Sequence, residues 1–209
     1  MLGRETAEHD GGVLLVGDPS QLGLRFVSNS AAKTRPNLAH FHLTSETDED
    51  QHDTVGKALS LGAQHLAFGQ TADEGHMVMA DPEGNELCVI EPGNDYLAGC
   101  GFFGELACDG SREVGLFWSA ALGWPLVWDK GSETAIQSPE GGTKISWGGE
   151  AAAPPAVRRS HRFYLLAIND VQTEADRLVA LGAVRRSGGQ DNNVALNDPD
   201  GNEFELVGQ

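Results

Sequence analysis

Positive charge is scarce in this chain. Its 209 residues carry 14 Lys and Arg against 31 Asp and Glu, a formal net charge of −17. Nucleic-acid binding needs Lys and Arg to neutralise phosphates, so that class is excluded, and an anionic membrane surface is disfavoured for the same reason. The acidic cluster Glu46, Asp48, Glu49, Asp50 reads as a solvated loop and helix start, because it lacks the Gly and the spaced oxygen ligands of a calcium loop. Long apolar runs are missing as well. The longest, Phe163 to Ile168, is strand-sized and far short of the roughly eighteen residues that span a bilayer. No basic stretch followed by an apolar one opens the chain, so no secretory signal is read. Cysteine is sparse: Cys88, Cys100 and Cys108 are an odd count without metal-type spacing, which suits a reducing, cytoplasmic setting. Phosphate loops are absent too, since Gly141-Gly142 and Gly148-Gly149 precede no helix with the needed Lys-Ser/Thr and read as turns.

What the chain has is repetition. Asp81-Pro82-Glu83-Gly84-Asn85-Glu86-Leu87-Cys88-Val89 returns as Asp198-Pro199-Asp200-Gly201-Asn202-Glu203-Phe204-Glu205-Leu206. The first half of each copy is turn chemistry: Pro sets φ, Gly and Asn tolerate positive φ, and Asp bonds the backbone two residues on. The second half alternates like a strand with two unlike faces. Each copy closes a longer βαβββ unit. In 37–92 the order is a strand over 38–43, a helix over 48–61 ending at Gly62, then strands over 65–69, 76–80 and 86–90. In 160–207 it is 161–168, a helix over 171–181 ending at Gly182, then 184–186, 193–196 and 203–207. Leu61-Gly62-Ala63 and Leu181-Gly182-Ala183 mark the same helix end in both.

A third unit lies between them, with a strand over 102–108, a helix over 113–122 closed by Gly123, and strands over 125–128, 134–137 and 144–147. The Ala/Pro-rich run 151–155 links it onward, and 91–101 reads as the main domain boundary. The N-terminus supplies only strands over 13–16 and 22–27 around Asp18-Pro19. The strand and helix expected before them are missing, since 1–10 is too short and polar to provide both.

Paired βαβββ units with a Leu-Gly-Ala helix end and an Asp-Pro-x-Gly-Asn-Glu hairpin resemble the vicinal oxygen chelate superfamily, the group of glyoxalase I, extradiol dioxygenases and bleomycin-resistance proteins. Gly99-Cys100-Gly101-Phe102, the run 117–124 from Phe117 to Trp124, and 134–139 resemble more narrowly the tandem glyoxalase-like domain proteins. The resemblance implies an α+β fold of repeated βαβββ units paired into two curved, mainly antiparallel sheets. It implies a domain over 1–92 lacking the first strand and helix of its first unit, and a complete domain over 101–209. Each would curl around a cup, where active members hold a divalent metal with ligands from first and last strands.

Strand alternation assigns faces. His40, His42, Glu86 and Cys88 fall on the first cup's inner face, with Arg25 from the incomplete unit. His40 holds the place of the family's first-strand His, but Cys88 stands where the carboxylate is expected. No tightly bound catalytic dication is therefore expected there. In the second cup Glu205 holds the carboxylate place and is the candidate catalytic residue. Phe163 occupies the His place, and His161 shares its face. Glu105 is the remaining first-strand candidate. Gln137 and Lys144 complete the expected pocket, Lys144 as an ion-pair partner for Glu205. Any divalent metal is expected in the second domain; the candidate metal ligands over the whole chain are His40, Glu105, His161 and Glu205. Trp118 and Trp147 read as core. Two functions follow from the resemblance: a lyase-, isomerase- or dioxygenase-type enzyme on a small organic molecule, or a non-catalytic binder that sequesters a drug-like one. The incomplete first unit leaves a sheet edge, and a homodimer is expected to cover it.

Overall fold

The computed structural model describes residues 1–9, 11–28, 30, 33, 36–67, 75–149, 161–167, 170–187 and 192–208. The chain forms two compact units, one of Met1–Ala107 with Gln137–Ile145, the other of Cys108–Ile136 with Ser146–Gln209. The Ala/Pro run 151–155 lies outside the described residues.

In the first unit, β1 (Thr6–His9), β2 (Gly12–Leu15) and β3 (Leu24–Val27) form a three-stranded antiparallel sheet. The strand β1 is unannounced in the sequence because Thr-Ala-Glu-His carries no apolar alternation. It is held by backbone pairing of Thr6 to Leu15 through His9 to Gly12. The repeat then appears in the expected order: β4 (Ala39–Leu43), α1 (Asp48–Ser60), β5 (Gln64–His65), β6 (Met77–Ala80) and β7 (Glu86–Val89). Thr47 caps α1 by accepting from the Asp50 amide, with Asp48, Glu49 and Asp50 at the positive end of the helix dipole. That is the role of the acidic cluster. The helix ends at Leu61, and Gly62 follows at φ 95°, a conformation that suits Gly.

The strands run in the order β5-β6-β7-β4-β8, where β8 is Phe103–Asp109. β4 and β7 are parallel, and the hairpins β5–β6 and β6–β7 antiparallel. The neighbour of β4 is thus the first strand of the third repeat. β1–β3 make a sheet of their own, separate from the one that holds β4 and β7. Alternation tells which face of a strand is apolar; it does not tell which strand lies alongside. The segment after β7, read as a linker, contains a 3₁₀ turn at Asp95–Leu97. Asn94 caps it, and Leu97 is buried.

The second unit holds α2 (Arg112–Leu122), β9 (Leu126–Lys130), and most of β10 (Glu133–Gln137) and β11 (Lys144–Gly148), adjacent in the order β11-β10-β9. The last repeat gives β12 (Phe163–Leu166), α3 (Val171–Ala180), β13 (Val184–Arg185), β14 (Asn193–Asn197) and β15 (Glu203–Val207). These strands form a sheet of order β12-β15-β14-β13, parallel only at β12–β15. Val194, Leu196, Phe204 and Leu206 are buried, as strand alternation requires, and so is Leu178 of α3. Trp118 and Trp147 are core, and the Trp118 indole donates to Asp198. Among the described residues no helix is long and apolar enough to cross a membrane.

Candidate metal centre

The site lies wholly in the first unit and begins with the parallel pair β4 and β7, which set Phe41 opposite Leu87, His42 opposite Cys88 and Leu43 opposite Val89. Leu87 and Val89 pack with Val55 and Ala58 of α1, so that face of the sheet is apolar. Alternation turns His40, His42 and Cys88 to the other face. There Cys88 packs with Val78, Ile90, Leu97 and Cys100.

The two imidazoles meet through their Nε2 atoms, 3.0 Å apart. With Cys88 Sγ they form a group whose donor atoms lie within 4.8 Å of one another. His42 Nδ1 is 2.6 Å from Glu105 Oε2 on β8, and Glu105 is only 3% exposed. The other oxygen, Oε1, accepts from the Tyr96 hydroxyl at 2.6 Å. Lys144 at the start of β11 donates to the Tyr96 carbonyl, and its ammonium stands 4.2 Å from the Tyr96 ring centroid.

The electrostatics of the two histidines diverge. Burial, with the charge of His42 beside it, holds His40 down to about 4. Burial also pushes His42 down, but hydrogen bonds to Cys88 and Glu105 and the Glu105 charge outweigh it and raise His42 to about 9. Across the interval between them the pair carries one positive charge, on His42. His42 donates from both nitrogens, and His40 accepts at Nε2.

The donor set suits a borderline-soft dication. Two imidazole nitrogens and a thiolate match tetrahedral zinc, whose bonds of about 2.0–2.1 Å to nitrogen and 2.3 Å to sulfur separate ligand atoms by roughly 3.3–3.8 Å. That falls inside the spread of this group, from the 3.0 Å contact to the 4.8 Å limit. Engagement of His42 Nδ1 by a carboxylate leaves Nε2 as the nitrogen for a metal.

The other candidates are placed as follows. Glu86 is taken up by Lys33 at 2.5 Å and by the Asn37 amide. Arg25 lies in the three-stranded sheet opposite Leu14. Gln137 donates to the Gly142 carbonyl and to Cys100 Sγ, whose thiol burial pushes up. In the second unit, Glu205 is paired with Arg162 at 2.5 Å, and Glu203 with Arg162 and Arg186. Arg162 therefore occupies the expected place of Lys144, which turns to Tyr96. The His161 ring lies edge-on to Phe163. Among the described residues, the metal-type cluster is at His40, His42 and Cys88, not around Glu205, where a metal was expected. Tyr96 was missed, since nothing in a linker-like stretch marks it. A hollow of about 240 Å³ elsewhere in the unit is lined by Gln51, His52, Val55, His65 and Met77, none of them from the cluster.

The family model described as "Glyoxalase-like domain" matches residues 1–90 and 105–207. Among solved structures, glyoxalase I from Zea mays is 13% identical, with a TM-score of 0.61 over 94% of this chain and 77% of that one. Its V278E mutant from the same organism is 14% identical, with a TM-score of 0.59 over the same shares. At such identity the likeness is one of fold. No curated protein sequence matches the chain.

Proposed function

The chain belongs to the glyoxalase-like domain family, and we propose that it is a metal-dependent enzyme of the lyase or isomerase type. Its metal centre would be His40 Nε2, His42 Nε2 and Cys88 Sγ. The observation that carries this reading is the convergence of one donor atom from each of those three residues within 4.8 Å, with a buried carboxylate behind one imidazole. A zinc-type ion bound there would supply a Lewis acid for a small molecule bearing adjacent oxygens.

The residues of the chain do the rest. His40, His42 and Cys88 would hold a four-coordinate ion by three donors, which would leave one position for a substrate oxygen. The His42 side chain keeps 20% of its exposure, so a small molecule reaches the group from solvent. Val78, Ile90, Leu97 and Cys100 pack with Cys88 and shield it with apolar surface. Glu105 keeps a proton on His42 Nδ1, and His42 Nε2 would give up its own proton to hold an ion. On assembly, the proposal is a second copy over the three-stranded sheet, where Val13, Phe26 and Val27 are 45%, 49% and 54% exposed; a monomer mass in light scattering would refute it.

The test of the metal reading is metal content after purification without chelator, followed by zinc titration of the stripped protein. One ion per chain is expected, lost in His40→Ala and Cys88→Ser but kept in Glu205→Ala. Absence of uptake, or uptake indifferent to His40 and Cys88, overturns the reading.

A further inference from the structure

Glu105, by its place on the first strand of a repeat, is one of the candidate ligands. Its surroundings assign it another task. Both carboxylate oxygens are already engaged: Oε2 by His42 Nδ1 and Oε1 by the Tyr96 hydroxyl, each at 2.6 Å. With the residue 3% exposed, entering a coordination sphere would strip two charge-assisted hydrogen bonds in a place where water does not replace them. Tyr96 is itself held. The Asn94 cap fixes its 3₁₀ turn, Leu97 anchors that turn in the core, and Lys144 grips the Tyr96 carbonyl and covers its ring.

We propose that Glu105, steadied by Tyr96, is the positioning residue of the metal centre. It binds no ion, accepts from His42 Nδ1–H, and so fixes the His42 ring and tautomer with Nε2 toward the ion. The assignment rests on the metal-centre reading above. A carboxylate in this position also makes the ligating nitrogen more basic, and loss of such a partner typically weakens metal binding by about 10- to 100-fold. The chain Lys144–Tyr96–Glu105–His42 joins a residue of β11, a turn and two strands to one ligand, all within a single unit.

The experiment measures zinc affinity by competition with a chromophoric chelator in wild type, Glu105→Gln, Tyr96→Phe and His40→Ala. Cobalt-substituted spectra are recorded on each, with circular dichroism as the check on folding. Wild type should take one ion and show a thiolate-to-cobalt band from Cys88. Glu105→Gln should keep both the stoichiometry and the band while affinity falls roughly 10- to 100-fold. Tyr96→Phe should shift affinity the same way by less, and it supplies the readout should Glu105→Gln fail to fold. Wild-type affinity in both variants overturns the assignment while leaving the metal centre standing. Loss of the site in folded Glu105→Gln as complete as in His40→Ala makes Glu105 a ligand and overturns it too. Wild-type protein that takes up no ion overturns the metal centre itself.

Discussion

Changing pH on the metal-free protein should expose the divided protonation of the histidine pair as a maximum in stability. His42 is raised to about 9 from an ordinary 6.5. Its folded form binds the proton more tightly than the unfolded chain. The resulting stabilisation is complete below pH 6.5 and is lost as pH rises through 9. His40 is lowered to about 4 from the same value. Its stabilisation is present above pH 6.5 and is lost as pH falls from there through 4. A displacement of that size corresponds to about 3 kcal/mol on each limb, since one pH unit is worth about 1.4 kcal/mol. Because the rings touch, the two limbs belong to the pair. The assay is urea unfolding from pH 4 to 9 in the presence of chelator. Two variants separate the limbs from the background of other titrations. His40→Gln should flatten the acid limb relative to wild type, and Glu105→Gln should shrink the alkaline one. A wild-type profile that does not fall between pH 6.5 and 9, or a Glu105→Gln profile that falls as steeply, would refute the reasoning.

Three further outcomes are expected. Gly115→Ala should cost about 1–3 kcal/mol in denaturant unfolding, because an added Cβ meets Thr134 Oγ1 at 1.9 Å in a packed core. Ser111→Ala should cost about 1 kcal/mol in the same assay, since the Ser111 hydroxyl caps α2 and bonds Asp200 at 2.5 Å. Arg162→Met should change stability by less than about 1 kcal/mol, the pairs with Glu203 and Glu205 being partly solvated. It should leave zinc content unchanged by elemental analysis.

The repeat was legible because its markers are local. Asp81 and Asp198 each accept from the amide and the side-chain NH₂ of the Asn four residues on, so the two turns are the same object. Gly62 and Gly182 both adopt positive φ after their helices, as the Leu-Gly-Ala signature implies. Faces were legible too, and His40, His42 and Cys88 do share one. Partnership was not. The spacing of Phe41 and His42 carries no information that β8 lies beyond β4, and so none that Glu105 reaches His42. Cys88 reads in the sequence as a half-buried structural cysteine; a thiolate also serves a borderline-soft ion. At Glu205 the position is legible but its partners are not: among the described residues, Arg162 and Arg186 pair with Glu203 and Glu205.

X-ray absorption at the zinc edge of the loaded protein tests the central claim most directly. The account predicts a shell of nitrogen or oxygen at about 2.0–2.1 Å with one sulfur at about 2.3 Å, and loss of the sulfur in Cys88→Ser. A shell of oxygen and nitrogen alone in the wild type, unchanged by Cys88→Ser, would contradict it.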